Sequence, residues 1–249
     1  MDFPAASMMQ FFENHALLSA TGQHQWYTVQ GGSVEYVRRL EARMLAKGVD
    51  IRLNAPVSAV TRQNGQVSVT PRGGVEEIFD EVIFATHSDD TPALLADARL
   101  HEKDLLGAIA YQPNEVVLHC DTSVMPRSRK CWSSWVYTER SGQASQQLDL
   151  TYWMNSLQPI PKDDPLFVTL NSTQSIREDL IYDQTTLRHP VYDAKALQAQ
   201  KLIKLRNGEN NTWVCGAWMK HGFHEDGLSS ALDVAEQLGT GAALTLAAE

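Results

Sequence analysis

Apolar residues recur every three to four positions through 33–48, at Val37, Leu40, Met44 and Leu45, with Arg38, Arg39, Glu41 and Arg43 between them. That period predicts an amphipathic helix with one buried stripe. Ser33 stands where an N-cap accepts a backbone N–H, and Gly48 where a left-handed residue ends the helix. An earlier helix is expected over 7–19 from Met8, Phe11, Phe12 and Leu18. Residues 26–32 read as a strand ending in a Gly-Gly turn, and 49–53 as another short strand. The pattern then shifts to period two. Residues 57–62 and 66–71 alternate around Asn64-Gly65, a pair suited to a tight hairpin because both positions need positive φ. A third strand at 77–79 completes a meander. Residues 80–86 have an unbroken apolar centre, which predicts a strand buried on both faces of a parallel sheet.

Thr91-Pro92 opens a helix through Leu95, since proline fits the first helical turn. Four strands follow at 115–121, 130–138, 147–154 and 166–170, separated by Pro, Ser, Gly and Asp clusters, which predicts an antiparallel sheet. A helix at 194–205, capped by Asp193 and stopped near Gly208, leads to a buried strand at 212–217. The last helix is expected over 228–238, with Leu228, Leu232, Ala235 and Leu238 on one side. Regions 1–90 and 187–249 thus share one character and flank a strand-rich insert at 91–186.

The 43% apolar and 20% charged content suits an ordinary globular chain, and a net charge of −9 lacks the basic face that nucleic-acid binding needs. Cys120, Cys131 and Cys215 form no C-x-x-C pair and read as buried apolar residues, which points to a reducing, cytoplasmic setting. No leader pattern and no window of about twenty apolar residues is present, so no membrane span is expected.

The densest candidate chemistry is Trp213-Val-Cys-Gly-Ala-Trp-Met-Lys-His-Gly-Phe-His-Glu-Asp-Gly-Leu228. It reads as a strand, a glycine-punctuated loop and a helix. A helix N-terminus stabilises negative charge through its dipole and free N–H groups, and Gly216, Gly222 and Gly227 would let a ligand approach the backbone. Read locally, the same stretch also fits a plain connecting loop. His221, His224, Glu225 and Asp226 do not match a metal-ligand spacing, so no metal site is expected. No G-x-S-x-G elbow or P-loop occurs. Trp132, Trp135 and Trp153 fit either core or the lining of a substrate pocket.

The 213–228 segment, together with Trp26-Tyr-Thr-Val-Gln-Gly-Gly-Ser-Val-Glu-Tyr-Val37, Pro56-Val-Ser-Ala-Val60 and Ile83-Phe-Ala-Thr-His-Ser-Asp89, resembles the flavin-containing amine oxidase and phytoene desaturase superfamily. The resemblance implies an α/β (α+β) fold: an incomplete Rossmann-like FAD-binding lobe with a β-meander at 1–90 and 187–249, and an inserted antiparallel-sheet substrate lobe at 91–186. It implies FAD contacts at Val57, Ala85, Thr86, Gly216, Ala217, Gly222, Phe223, His224, Glu225, Asp226, Gly227 and Leu228. No catalytic side chain is implied, because a flavin carries the chemistry. The sequence departs from the family in two ways. Relatives place an acidic, ribityl-binding residue directly after the strand's Ala-Gly pair, where Ala217 cannot serve. The G-x-G-x-x-G turn that holds the FAD pyrophosphate is absent. The expectation is therefore the C-terminal portion of an oxidoreductase that passes hydride from a small or lipid-like substrate to flavin. Alone it should bind FAD weakly or not at all, be inactive, and expose apolar surface that favours a homodimer. The alternative is a non-catalytic ligand- or partner-binding module on the same scaffold.

Overall fold

The computed structural model describes residues 4–15, 17, 18, 21, 25, 27–138 and 149–239. In chain order the elements are α1 (Ala5–Asn14), α2 (Val34–Ala46), β1 (Val57–Gln63), β2 (Gln66–Pro71), β3 (Glu77–Phe79), β4 (Val82–Phe84), α3 (Thr91–Leu94), α4 (Leu100–Leu106) and β5 (Ala110–His119). Then come β6 (Trp135–Thr138), β7 (Asp149–Trp153), α5 (Met154–Leu157), β8 (Phe167–Leu170), β9 (Ile181–Val191), α6 (Ala194–Arg206), β10 (Thr212–Val214) and α7 (His224–Gln237). The fold mixes helix and sheet, and the chain forms two compact units.

The first unit comprises 1–23, 52–111 and 190–249. Its meander is β1-β2-β3, with Gln63 opposite Gln66 across Asn64 and Gly65, both at positive φ as the hairpin requires. Val60 and Val67 pack with Phe84, Ile109, Ala196, Ile203 and Val214 in one apolar core. The parallel sheet is the two-stranded pair β10-β4. Ile83 on β4 is 48% exposed, so burial on both faces is not observed along β4: its neighbour Trp213 packs against Val234 of α7, but among the described residues no third strand extends the pair beside β4. A side chain supplies what a third strand would give, since Asn207 bonds both the N–H and the C=O of Val214 at 2.8 and 3.0 Å. Helix α6 starts as expected, Asp193 accepting the Ala196 N–H, and Gly208 beyond its end holds a φ of +92°.

The second unit comprises 24–51 and 112–189. Its sheet runs β6-β7-β8-β5-β9, with antiparallel pairing through β6, β7, β8 and β5. Phe167 is fully buried between Trp132, Trp153, Val124 and Met125. Trp132 and Trp153 meet edge-on at 5.3 Å, so these two are core, while Trp135 is 46% exposed. The long strand β9 lacked a clear apolar signal because most of its residues are exposed.

Several expectations are corrected. Helix α1 runs only from Ala5 to Asn14, with Pro4 in extended backbone as its N-cap. Trp26 lies outside the described residues, and 27–29 and 49–53 form no strand, because neither stretch finds a neighbour to pair with among the described residues. Ser33 has helical φ/ψ and makes no side-chain cap; the hydroxyl of a helical residue does not face the first N–H groups. The apolar stripe of α2 is not buried in this chain, Val37 and Leu40 being 48% and 55% exposed. Its end does follow the pattern: Gly48 bonds Leu45 and Val49 bonds Met44, a left-handed closure. Cys215 is buried, but Cys131 is exposed. None of the described helices is long and apolar enough to cross a membrane.

Candidate functional site

The site grows from the parallel pairing of β4 and β10. Val214 sits opposite Phe84, and the Cys215 N–H donates to the Phe84 carbonyl at 3.0 Å. Parallel strands end on the same side, so Ala85-Thr86 and Gly216-Ala217 leave the pair together. Trp218, 4% exposed, pins the two exits by donating its Nε1–H to the Thr86 carbonyl at 2.9 Å. The Thr86 hydroxyl bonds Thr91, and Ala85 is exposed.

The loop that follows is held from three sides. From α6, buried Gln200 donates both amide hydrogens, to the carbonyls of Trp218 and Lys220, each at 2.7 Å. From α7, Ser230 Oγ accepts the Gly216 N–H and donates to the Gly227 carbonyl, both at 2.8 Å. Asp226 Oδ2 accepts the N–H groups of His221 and Phe223 and so caps α7, which begins four residues before the predicted start. Asp226 is committed to the loop, and Glu225 is exposed.

The three glycines differ in what the fold asks of them. Gly216 and Gly222 hold φ of +151° and +90°, and an added Cβ would lie 2.7 Å from Trp218 Nε1 and Tyr192 Oη respectively. Gly227 has ordinary helical geometry, and a Cβ there would meet only ordinary contact, at 3.7 Å from the Ala217 nitrogen. A glycine in a helix costs about 0.5–1 kcal/mol relative to alanine, so internal packing does not account for Gly227. A bare backbone patch at the first turn of a helix is what a flat, charge-accumulating ring needs for close approach. By this measure the residues fit the ring end of a flavin.

Against the loop lies a cavity of about 110 Å³ lined by Ser7, Phe11, Tyr192, His221 and Phe223. Phe11 and Phe223 stack at 6.1 Å, with the His15 ring 4.2 Å from Phe11. The Tyr192 hydroxyl is buried and meets no hydrogen-bond partner among the described residues. Burial pushes its pKa well up, so it stays protonated and can donate. Ser7, Phe11 and Tyr192, like the Gln200 and Ser230 clamps, carried no sequence signal as site residues, and His221 stood out only as a candidate metal ligand. They meet only through tertiary folding.

Of the sequence-predicted residues, Ala85, Thr86, Gly216, Ala217 and the run from Gly222 to Gly227 lie along these two exits and the loop. Phe223 is an N-cap residue half facing the cavity, His224 and Glu225 are exposed, and Leu228 is 54% exposed rather than on a buried stripe, that role falling to Ser230 and Val234. Val57 stands apart at the start of β1, its side chain against the core, next to a bulge at Ser58 that interrupts the ladder.

The fold belongs to a group of solved enzymes. A fatty acid isomerase of P. acnes that produces CLA matches with a TM-score of 0.53 at 14% identity, covering 82% of this chain and 57% of its own. A candidate protoporphyrinogen oxidase from Exiguobacterium sp. 255-15 matches at 0.63 and 16%, covering 95% and 57%. A reduced UDP-galactopyranose mutase matches at 0.59 and 11%, covering 85% and 52%. The chain thus spans little more than half the length of these relatives, and at such identities the likeness establishes the fold alone. Comparison with curated proteins finds no match. The family model described as flavin containing amine oxidoreductase matches residues 1–170, and the chain belongs to that family. The 213–228 segment lies beyond the matched residues.

Proposed function

We propose that this chain carries the flavin-ring and substrate side of an FAD-dependent oxidoreductase, with 1–90 and 187–249 as part of the FAD lobe and 91–186 as the substrate lobe. The observation that carries the reading is Gly227, a glycine in the first turn of α7 that the fold itself does not require; the N-cap of the same helix, Phe223, lines the cavity that holds the orphaned Tyr192 hydroxyl. When bound, the flavin supplies the redox chemistry by accepting hydride from the substrate. The backbone of Gly216, Ala217 and Gly222 to Leu228, with Ala85 and Thr86, positions the ring, and the N-terminus of α7 favours charge gathered there. Val57 offers its backbone to the adenine edge. Phe11 and Phe223 exclude water and grip an apolar substrate body, and the Tyr192 hydroxyl donates to one polar atom of it. The sequence's lack of a G-x-G-x-x-G turn makes FAD binding by this chain weak and the chain alone inactive.

The test is Gly227→Ala. It should leave the fold intact or stabilise it by about 0.5–1 kcal/mol, while weakening FAD affinity measured by flavin fluorescence. Unchanged FAD affinity in the stable variant would contradict the reading, and so would a variant that fails to fold, since Gly227 would then be structural.

A further inference from the structure

The turn after β4 holds a second cluster of groups with chemistry of their own. One imidazole nitrogen of His87 and one carboxylate oxygen each from Asp89 and Asp90 all lie within 4.8 Å of one another. We propose that this turn is a binding site for a first-row divalent cation, with His87, Asp89 and Asp90 as its three protein ligands.

The donor set sets the class of ion. Nitrogen with two carboxylates suits zinc, manganese and their neighbours, whereas calcium takes six to eight oxygens. Ligands at about 2.1 Å from an ion stand roughly 3 Å apart when adjacent and about 4.2 Å when opposite. Among three ligands at most one pair is opposite, so the observed spread of up to 4.8 Å closes through side-chain rotations that shorten an adjacent pair by up to about 1.8 Å. Three protein ligands leave the remaining positions to water, which Asp90, exposed at the rim, admits.

The turn is built to hold its side chains in place. The His87 carbonyl accepts three hydrogen bonds, from the N–H groups of Asp90 and Thr91 and from the Thr91 hydroxyl, at 3.2–3.3 Å. Ser88 and Thr91, which flank the two aspartates in sequence, are fully buried. Tyr111 stacks on the His87 ring at 4.4 Å and 17°, and its hydroxyl accepts the Ser88 N–H at 2.9 Å, which fixes the imidazole plane. Independently of the carboxylates, His87 Nδ1 is buried and meets no hydrogen-bond partner among the described residues. A buried polar atom left so costs about 1–3 kcal/mol, a cost that ligation of the ring through Nδ1 would offset.

The experiment titrates Mn²⁺ into the purified, chelator-treated chain and reads free Mn²⁺ by electron paramagnetic resonance. One ion per chain is expected, displaced by Zn²⁺ and not by equal Mg²⁺. His87→Ala and Asp89→Asn should each weaken it about tenfold or more, while Glu76→Gln, an acid outside the turn, should not. Mn²⁺ should also raise the Tm of the parent chain and leave that of Asp89→Asn unchanged. If His87→Ala does not fold, Asp90→Asn at the exposed rim makes the same test. Binding that the three substitutions leave unaltered, or no retained ion, overturns the proposal. No flavin is used, so this result and the flavin reading stand or fall separately.

Discussion

His119 is fully buried at the end of β5, its Nδ1 accepting the Asp121 N–H and its Nε2–H donating to Thr169 at 2.7 Å, which in turn bonds Thr151. Burial pushes the imidazole below its ordinary 6.5, with the Asp121 charge opposing. The unfolded chain therefore binds more protons than the native one once pH falls below 6.5, and stability declines as pH drops from there towards the native value. Urea unfolding at pH 8 and pH 5.5 should show that loss. His119→Gln, which leaves nothing to titrate, should flatten it, at a cost of about 1–3 kcal/mol at pH 8 for the disturbed hydrogen bonds. An equal loss in the variant would place the effect on other groups. At this scale the sequence was only partly readable. The hairpin turn announced itself through Asn64-Gly65, but the separate roles of Gly216, Gly222 and Gly227 depend on Trp218, Tyr192 and Ala217, whose placement only the folded chain sets.

Elements in the first unit are tied by one buried cation. Arg62 on β1, its side chain 4% exposed, bonds Glu102 of α4 at 2.6 Å and Asp97 at 3.0 Å. The Glu102 hydrogen bond leads in holding the guanidinium charged; burial opposes ionisation of Glu102, but the Arg62 and Arg99 hydrogen bonds keep its carboxyl below the usual range. Arg62→Met removes the cation and strands a half-buried carboxylate pair, so a loss of about 3 kcal/mol is expected in chemical denaturation. A loss under about 1 kcal/mol would mean the pair is solvated. Elements with a local rule were legible: the hairpin, the Asp193 cap of α6, the Gly48 stop of α2 and the four strands β5 to β8. Those that failed depend on neighbours. The apolar stripe of α2 predicted burial that this chain does not supply, β4 has one partner strand, and β9 is an exposed strand with no alternating pattern to read.

For the whole molecule, family membership rests on residues 1–170, while the proposed ring contacts lie mostly in 213–228. The central claim is that the exits of β4 and β10 with the start of α7 form a flavin site. The direct measurement is an equilibrium titration of FAD fluorescence with this chain, followed by desalting. The account predicts saturable quenching that is lost on desalting, because the ring has its contacts and the pyrophosphate lacks its glycine turn. No quenching at any concentration would contradict the flavin site. Stoichiometric flavin surviving the column would contradict the claim that binding by this chain is weak.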